Sequence, residues 1–192
     1  WAVALFAVLM GAAARAVPYG WVAEALCVYV LIAQKSLFLH VRAVARALKA
    51  EGLAGGRRAV GMIVGRDPET LDEAGVCRAA IESCAESYSD GIVSPIFWYA
   101  VLGLPGICAF KAVNTLDSMV GHLNETYRDF GWASARFDDL ANWIPARLAG
   151  WFLALAAAPF SWADGHAAAW IMLRDAKKHH SPNAGWPESA IA

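Results

Sequence analysis

Long apolar blocks alternate with shorter polar segments along the chain, and this alternation sets the predicted elements. The apolar blocks are Trp1–Val17, Val22–Leu39, Gly91–Phe110 and Leu148–Phe160. The second block approaches the roughly 20 residues that a membrane-spanning helix requires. The third block is interrupted by four helix-breaking residues, Pro95, Gly103, Pro105 and Gly106. It therefore predicts either a straight span or a re-entrant pair of short helices, with Pro105 at the start of the helix that follows.

The composition agrees with a protein that resides in a membrane. Of the 192 residues 58% are hydrophobic and 17% are charged, against a usual charged share of about 25%, and the mean hydropathy is +0.41. Nine tryptophans suit a chain that meets two water–lipid interfaces. The net charge of −1 argues against a nucleic-acid partner, which would require a concentrated basic surface. We expect an all-α, polytopic helical membrane protein in contact with the lipid bilayer, with residues 1–192 forming a single domain that is a fragment of a longer chain.

A basic stretch after the second block orients the chain. It contains one acid, Glu51, and six basic residues: His40, Arg42, Arg46, Lys49, Arg57 and Arg58. Basic residues close to the end of a span mark the cytoplasmic side of a membrane. The polar segment Gly65–Gly91 follows directly, so we expect it to lie on the cytoplasmic face, against the membrane rather than across it.

The segment Gly65–Gly91 is predicted to form a helix with an acidic face. Asp67 can cap the helix and Pro68 fits its first position. Four carboxylates fall within an arc of roughly 80° on that helix: Asp72, Glu82, Glu86 and Asp90. The side predicted to pack carries Val76, Cys77, Ala80, Ile81, Cys84 and Tyr88. Like charges one turn apart repel by about 0.2–0.5 kcal/mol per pair, so the acidic face is either a candidate site or a solvated surface.

The four cysteines show no metal-binding spacing. Cys77 and Cys84 belong to the predicted packed side of the acidic helix. We therefore expect both to be core thiols.

The helix predicted over Lys111–Gly121 has a small polar face without long surface charges, formed by Lys111, Asn114, Thr115, Asp117, Ser118 and Gly121. Neutral hydrogen-bonding groups on one face suit either helix–helix hydrogen bonds or a substrate. A polar, aromatic loop is predicted over Asn124–Trp132.

Charged and amide side chains gather just before the last apolar block: Arg136, Asp138, Asp139, Asn142 and Arg147. Ionisable groups at or inside a membrane span are costly and indicate function. The alternative is interfacial anchoring with internal Arg–Asp pairs, which is the stronger interpretation for Arg136 alone.

The chain ends in a predicted short helix, Ala167–Lys178, followed by His179 and His180. Adjacent histidines in a basic run can bind a metal but are expected here to be solvated. The sequence SPNAGWPE after them predicts a tight loop.

Four ordered strings then identify a family that this sequence resembles: GRDPETLDEAGVCRAAIES…SDG, KAVNTLDSMVG, YRDFGWASARFDDLANWIPARL and HHSPNAGWPE. They resemble adenosylcobinamide-phosphate synthase, the membrane enzyme of cobalamin biosynthesis of the CobD/CbiB type, from about Arg57 to Ala192. The resemblance implies a ligase that joins the propionate carboxyl of adenosylcobyric acid to the amine of aminopropanol phosphate, or of aminopropanol. It also implies a bacterial inner-membrane location with a cytoplasmic active face.

The sequence departs from the family pattern at a few positions. Ser87 replaces Asn and Tyr88 replaces Thr in the string before Ser89-Asp90-Gly91, and His122 and Thr126 replace an aromatic and a basic residue. N-terminal and C-terminal parts of the family pattern are also missing.

The implied reaction assigns roles to the polar residues. Amide formation through an acyl phosphate needs Mg²⁺ and ATP, although the sequence has no P-loop. Glu82, Glu86 and Asp90 are the catalytic candidates, with Glu86 and Asp90 as metal ligands. The substrate-binding candidates are Asp72, Lys111, Asn114, Asp117, Ser118, Arg136, Asp138, Asp139, Asn142 and Arg147.

Two other interpretations compete with the enzyme. A transporter would place polar groups on several spans near the membrane midplane, whereas here they gather at one face. A non-catalytic membrane homologue with a signalling role would fit the change at Ser87. A homologue that had lost catalysis would be expected to lose several polar site residues. The sequence retains five of them, which argues against that interpretation: Asp90, Asn114, Asp117, Asp138 and Asp139.

Overall fold

The computed structural model describes residues 18–65, 67–121 and 128–192, with positions 5, 8, 9, 11–13 and 16 before them, and only the backbone of residues 128–130. Between residues 18 and 192 the described part folds into seven α-helices: α1 (Gly20–Leu31), α2 (Gln34–Val60), α3 (Glu73–Tyr88), α4 (Ser94–Val120), α5 (Arg128–Ala157), α6 (Gly165–Asp175) and α7 (Gly185–Ile191). Short 3₁₀ turns occupy Pro68–Thr70 and Ala176–Lys178, and a π-helical turn occupies Ser89–Val93. The described residues contain no strand, which confirms the all-α prediction.

The chain divides into two compact units, Trp1–Ile32 with Asp90–Leu148, and Ala33–Ser89 with Ala149–Ala192. The prediction of one domain over residues 1–192 stays a prediction.

In the first unit, α4 packs against α1 and α5. Its buried side chains include Leu104, Ile107 and Phe110. The Tyr99 hydroxyl donates to Glu24 Oε1 of α1 at 3.2 Å, and the Trp98 indole N–H donates to the Ala141 carbonyl of α5 at 3.0 Å. Hydrogen bonds between helices therefore supplement the apolar contacts.

In the second unit, the core forms where α2 meets α3, from Val44, Val60, Val76, Ala79 and Ala80. A separate contact joins the last part of α5 to α6 and α7. A Cβ on Gly150 would lie 2.5 Å from Met172 Sδ and 2.9 Å from the Trp186 carbonyl oxygen. Because glycine has no side chain, Met172, which is 0% exposed, can fill the space between these helices.

Two glycines break the long helices. Gly52 in α2 (φ 64°, ψ −156°) and Gly103 in α4 (φ 66°, ψ −152°) adopt a backbone conformation that is essentially restricted to glycine. In α4 the break lies just before Pro105, as predicted for the start of a helix. Beyond it α4 continues to Val120, so the segment predicted as Lys111–Gly121 is the second half of one broken helix.

Two helical stretches, Gly20–Val60 and Glu73–Val120, are long and apolar enough to cross a membrane by length and composition. In the most apolar 18-residue window of the first stretch no residue is buried, and in that of the second stretch 33% of the residues are buried. The apolar block Trp1–Val17 lies largely outside the described residues, as do His122 and Thr126.

Three element boundaries differ from the sequence prediction. Asp67 caps only the 3₁₀ turn, by accepting from the Glu69 N–H at 3.0 Å, and α3 begins after Asp72, which accepts from the Gly75 N–H at 2.7 Å. Of the predicted loop Asn124–Trp132, the part from Arg128 is helical. The predicted loop SPNAGWPE includes the start of α7, because Ser181 Oγ accepts from the N–H groups of Asn183 and Ala184 and turns the chain into that helix.

Candidate functional site

The packed side of α3 overlaps its acidic side, which corrects in part the prediction that the two lie opposite each other. Val76 and Ala80 are buried as predicted. Ala79, which lies among the carboxylates, is also buried and Glu82 is half-buried, whereas Asp72 and Glu86 are exposed. The predicted packed residues Cys77 and Ile81 are exposed. The small residues Gly75, Ala79 and Ser83 let neighbouring segments approach this side, and Val76 packs there as well. Cys77 is therefore not a core thiol, and Cys84 is half-buried.

Glu82 and Glu86 open onto a cavity of about 340 Å³ in the second unit. Its lining comes from the segment after α2, from α3, and from the chain around α7: Ile63, Val64, Gly65, Glu82, Ser83, Glu86, His179, Ser181, Ala184 and Glu188. Ser83 Oγ donates to the Ile63 carbonyl at 3.1 Å and holds the first of these segments against α3. Among the residues that the structure describes, this lining has three carboxylates and neither lysine nor arginine, an arrangement that favours a cationic group.

His179 is fixed in this cavity by two contacts. Its Nδ1 accepts from the Ser181 N–H at 3.0 Å, and its Nε2 lies 3.2 Å from Glu188 Oε2. Because Nδ1 accepts a hydrogen bond, the neutral ring carries its proton on Nε2 and donates to Glu188. The prediction that His179 is simply solvated is therefore wrong, because both nitrogens of its ring contact protein groups.

A second polar cluster connects α4 and α5 in the first unit. Asp138 accepts from Asn114 Nδ2 at 3.2 Å through Oδ1 and from Asn142 Nδ2 at 2.9 Å through Oδ2. The fully buried Ser94 hydroxyl donates to Asn142 Oδ1 at 2.6 Å. Ser94, Asn142, Asp138 and Asn114 thus form one continuous chain of hydrogen bonds.

Burial raises the pKa of the Asp138 carboxyl above its ordinary value. The two amide hydrogen bonds lower that pKa, and the nearby Asp117 and Asp139 carboxylates raise it, but desolvation is the largest cause. Asp138 lies in α5, outside the two stretches that could cross a membrane.

The remaining predicted site residues have the following positions. Asp90 is half-buried in the π-helical turn, Lys111 is half-buried in α4, and exposed Ser118 donates to its own helix at the Asn114 carbonyl. Asp117 is half-buried, and a Cβ on Gly121 would lie 2.0 Å from its Oδ1. Asp139 forms an ion pair with Arg136 at 3.6 Å. Arg147 donates to the Trp143 carbonyl of its own helix.

Two groups of predicted residues therefore come together, Glu82 with Glu86 in the second unit and Asn114, Asp138 and Asn142 in the first. Asp72 acts as a helix cap. Within the described ranges, no group of three or more His, Cys, Asp and Glu side chains is arranged to hold a metal ion.

The sequence prediction missed His179, Glu188 and Ser94 as members of these two clusters. His179 and Glu188 lie in the string HHSPNAGWPE, which carries part of the family resemblance, so the signal was available. Ser94 had no such signal, because a serine before Pro95 indicates only the start of a helix.

The described helices, two candidate membrane-crossing stretches and a carboxylate-lined cavity define an all-helical protein with a polar site on a strongly apolar scaffold. The chain belongs to the CobD/Cbib protein family, whose model matches residues 1–192, and this confirms the resemblance drawn from the sequence.

Curated relatives agree with that assignment. The chain is 63% identical over 174 residues to "Cobalamin biosynthesis protein CobD" of Brucella anthropi, covering 90% of this chain and 53% of that protein. It is 58% identical over 175 residues to the protein of that name from Sinorhizobium fredii (90% and 53%), and 56% identical over 178 residues to that from Rhodobacter capsulatus (91% and 55%). The chain thus spans about half the length of these relatives. No solved structure matches it.

Proposed function

We propose that the protein acts in cobalamin biosynthesis as an amide-forming ligase, joining a carboxyl of adenosylcobyric acid to the amine of aminopropanol or its phosphate. Membership of the CobD/Cbib family and the names of the relatives support the pathway. The observation that carries the reaction is the cavity in which Glu82 and Glu86 meet the His179–Glu188 pair.

The size and charge of the cavity suit the amine substrate. A volume of about 340 Å³ is at the small end of ligand pockets, which span roughly 300–1,000 Å³. It has room for an aminopropanol-sized molecule, whereas a corrin ring is far too large. The three carboxylates of the lining favour the ammonium end of that molecule over its phosphate end.

The chemistry needs the amine in its neutral form. We assign the removal of its proton to Glu82 or Glu86, since both carboxylates open onto the cavity. The free amine then attacks the activated carboxyl carbon, the carbon–nitrogen bond forms and phosphate leaves. His179 holds Glu188 in one orientation, so a third carboxylate is fixed to bind the ammonium group.

The donor set also fits Mg²⁺, which takes one or two carboxylates together with phosphate oxygens and water. Glu86 would hold it from the protein side, and Asp90 remains a proposed ligand. When bound, Mg²⁺ neutralises phosphate charge during carboxyl activation. ATP as the activating nucleotide follows from the reaction class.

The first unit supplies proposed contacts for the larger substrate. Lys111 is the proposed phosphate-binding cation, and Ser118 is the proposed partner for amide groups at the corrin edge. Lys111 and Ser118 belong to a proposed substrate-binding surface of the first unit. Asn114, Asp138 and Asn142 already hydrogen-bond one another, so we propose that they fix the shape of this surface. Asp117 and Asp139 stay proposed members of the same surface.

We further propose a multi-pass location in the bacterial inner membrane with the cavity on the cytoplasmic side. The two apolar helical stretches support it, as do the exposed basic residues Arg42, Arg46 and Arg58 of α2.

Complementation tests the reaction. We would express the gene that encodes this chain in cells lacking the cobinamide-forming step and score cobalamin-dependent growth on cobyric acid. Glu82→Gln, Glu86→Gln and Asp90→Ala should each lower turnover by about 10²–10⁴-fold, the usual contribution of a positioned acid or base. Glu73→Gln, which changes an exposed carboxylate in the first turn of α3, is the matched control and should grow normally.

Growth of all the variants would keep the pathway but move the chemistry away from these carboxylates. If the wild-type protein inserts well yet supports no growth, the ligase assignment is wrong and a non-catalytic membrane role is favoured.

A further inference from the structure

Two tryptophan–arginine pairs lie along α5. The guanidinium carbon of Arg136 is 5.9 Å from the ring centre of Trp132, and that of Arg147 is 4.3 Å from the ring centre of Trp143. In each pair the arginine follows its tryptophan by about one helical turn. The second pair repeats the first after about three turns, so both lie on one side of the helix, roughly 16 Å apart.

This side of α5 is exposed although it is apolar. Trp132 is 59% exposed and Trp143 is 53% exposed, and Leu140 between them is 72% exposed. The opposite side carries the buried Asn142 and the hydrogen-bonded Asp138. The helix therefore buries polar groups and exposes apolar ones, the reverse of a helix at a protein–water surface.

The exposed face suits the boundary between lipid and water. α5 is not one of the two stretches that could cross a membrane. Exposed tryptophans together with arginines are typical of a helix that lies in that boundary, with rings at headgroup depth. A guanidinium has five N–H donors, so Arg136 can pair with Asp139 at 3.6 Å and still donate to a phosphate.

We propose that the Trp132–Arg136 and Trp143–Arg147 pairs bind the headgroups of anionic phospholipids and hold α5 at the membrane surface. Arg136 and Arg147 then contact lipid, in place of the substrate contact expected from the sequence. The proposal rests on the membrane location proposed above and is independent of the ligase reaction.

Lipid selectivity tests the proposal. The full-length protein, solubilised in micelles containing equal amounts of phosphatidylglycerol and phosphatidylcholine, is examined by native mass spectrometry. The wild-type protein should retain phosphatidylglycerol preferentially. Arg136→Gln with Arg147→Gln should lower that preference by about fivefold for each arginine removed, the usual contribution of one basic residue near an anionic surface.

A matched control removes two other exposed basic residues, Arg78→Gln with Lys177→Gln, which lie on α3 and just after α6. It should keep the preference. An equal loss in this control would overturn the proposal, because net charge alone would then explain the effect. Unchanged selectivity after the change at Arg136 and Arg147 would overturn it as well.

Growth by complementation separates lipid binding from substrate binding. The Arg136→Gln, Arg147→Gln protein should support growth if it is inserted, since the arginines contact lipid. Lost growth with unchanged lipid selectivity would show that both arginines contact the substrate, and it would contradict the proposal. If the double variant does not insert, the single variants are compared, and the preference of each for phosphatidylglycerol should fall about fivefold.

Discussion

At the scale of the residue, the fold opposes the ionisation of Asp138. Burial raises the pKa of its carboxyl above the ordinary value of 3.8, so the folded protein keeps the proton to a higher pH than the unfolded chain does. The stability linked to this group is fully present below the unfolded pKa and is lost as the pH rises through the folded pKa. The melting temperature of the solubilised protein should therefore fall across that window.

Asp138→Asn should remove this part of the pH dependence, because the amide does not ionise. The measurement is the melting temperature against pH for the wild-type protein and the variant. Asp67→Asn, a change at an exposed cap that asparagine can replace, is the control and should keep the wild-type slope. An unaltered slope in Asp138→Asn would show that other groups cause the pH dependence.

Individual residues also show how far the sequence could predict the site. Glu82 and Glu86 were identified correctly as a pair on one side of a helix, because helical spacing alone brings them together. His179 was not, since its role depends on Ser181 and Glu188 folding back around its ring. A side chain fixed by a turn and by a helix several residues later has no periodic signal.

At the scale of the helix, the break in α2 depends on one residue. Gly52 has a backbone conformation essentially restricted to glycine, and no atom lies within 4 Å of the Cβ that alanine would add. Gly52→Ala should therefore lower the free energy of unfolding by about 1–3 kcal/mol through backbone strain alone. Denaturant titration in detergent micelles measures it.

Gly65→Ala is the control for that prediction. An alanine Cβ at Gly65 would also meet no atom within 4 Å, but its backbone needs no positive φ. The change should alter stability by only about 0.5 kcal/mol. Equal losses in the two variants would contradict the strain argument.

The helices themselves were largely predictable, and their faces were less so. The predicted starts of α1, α4 and α6 lie within a few residues of the observed ones. The block Val22–Leu39, however, is divided where α1 ends at Leu31 and α2 begins at Gln34, and the block Gly91–Phe110 stops short of the end of α4 at Val120. The packed side of α3 was predicted only in part. Val76 and Ala80 are buried as expected, but Ile81 and Cys77 are exposed, and beside Val76 the helix approaches its neighbours through glycine, alanine and serine. In a chain with an apolar exterior, side-chain hydrophobicity does not tell inside from outside.

At the scale of the whole molecule, Cys77 reports the orientation of α3. It is exposed, so a membrane-impermeant maleimide should reach it from one side of the membrane only. In a protein whose other cysteines are all changed to serine, labelling is expected in inverted vesicles and not in intact spheroplasts. That result follows from the cytoplasmic location proposed for the acidic helix.

Labelling in spheroplasts would place α3 on the outer side and contradict the proposed orientation. The matched control is a protein in which Cys77 is also changed to serine, which should remain unlabelled in both preparations.

The family and the all-helical class could be predicted from the sequence because they depend on ordered strings and on apolar periodicity. The division into two compact units could not, since it depends on which distant segments meet, such as Asp90–Leu148 with Trp1–Ile32. The cavity was also beyond prediction, because its lining comes from segments about 100 residues apart in the chain.

The space left by Gly150 has a consequence for oxidative damage. Met172 is 0% exposed in that space, whereas Met62 is 76% exposed and Met119 is 65% exposed. An oxidant in solution reaches the two exposed thioethers directly but reaches Met172 only when the helices around it separate. The amount of sulfoxide formed at Met172 therefore measures how often the helices of the second unit separate. The oxygen atom added to Met172 would no longer fit beside Gly150.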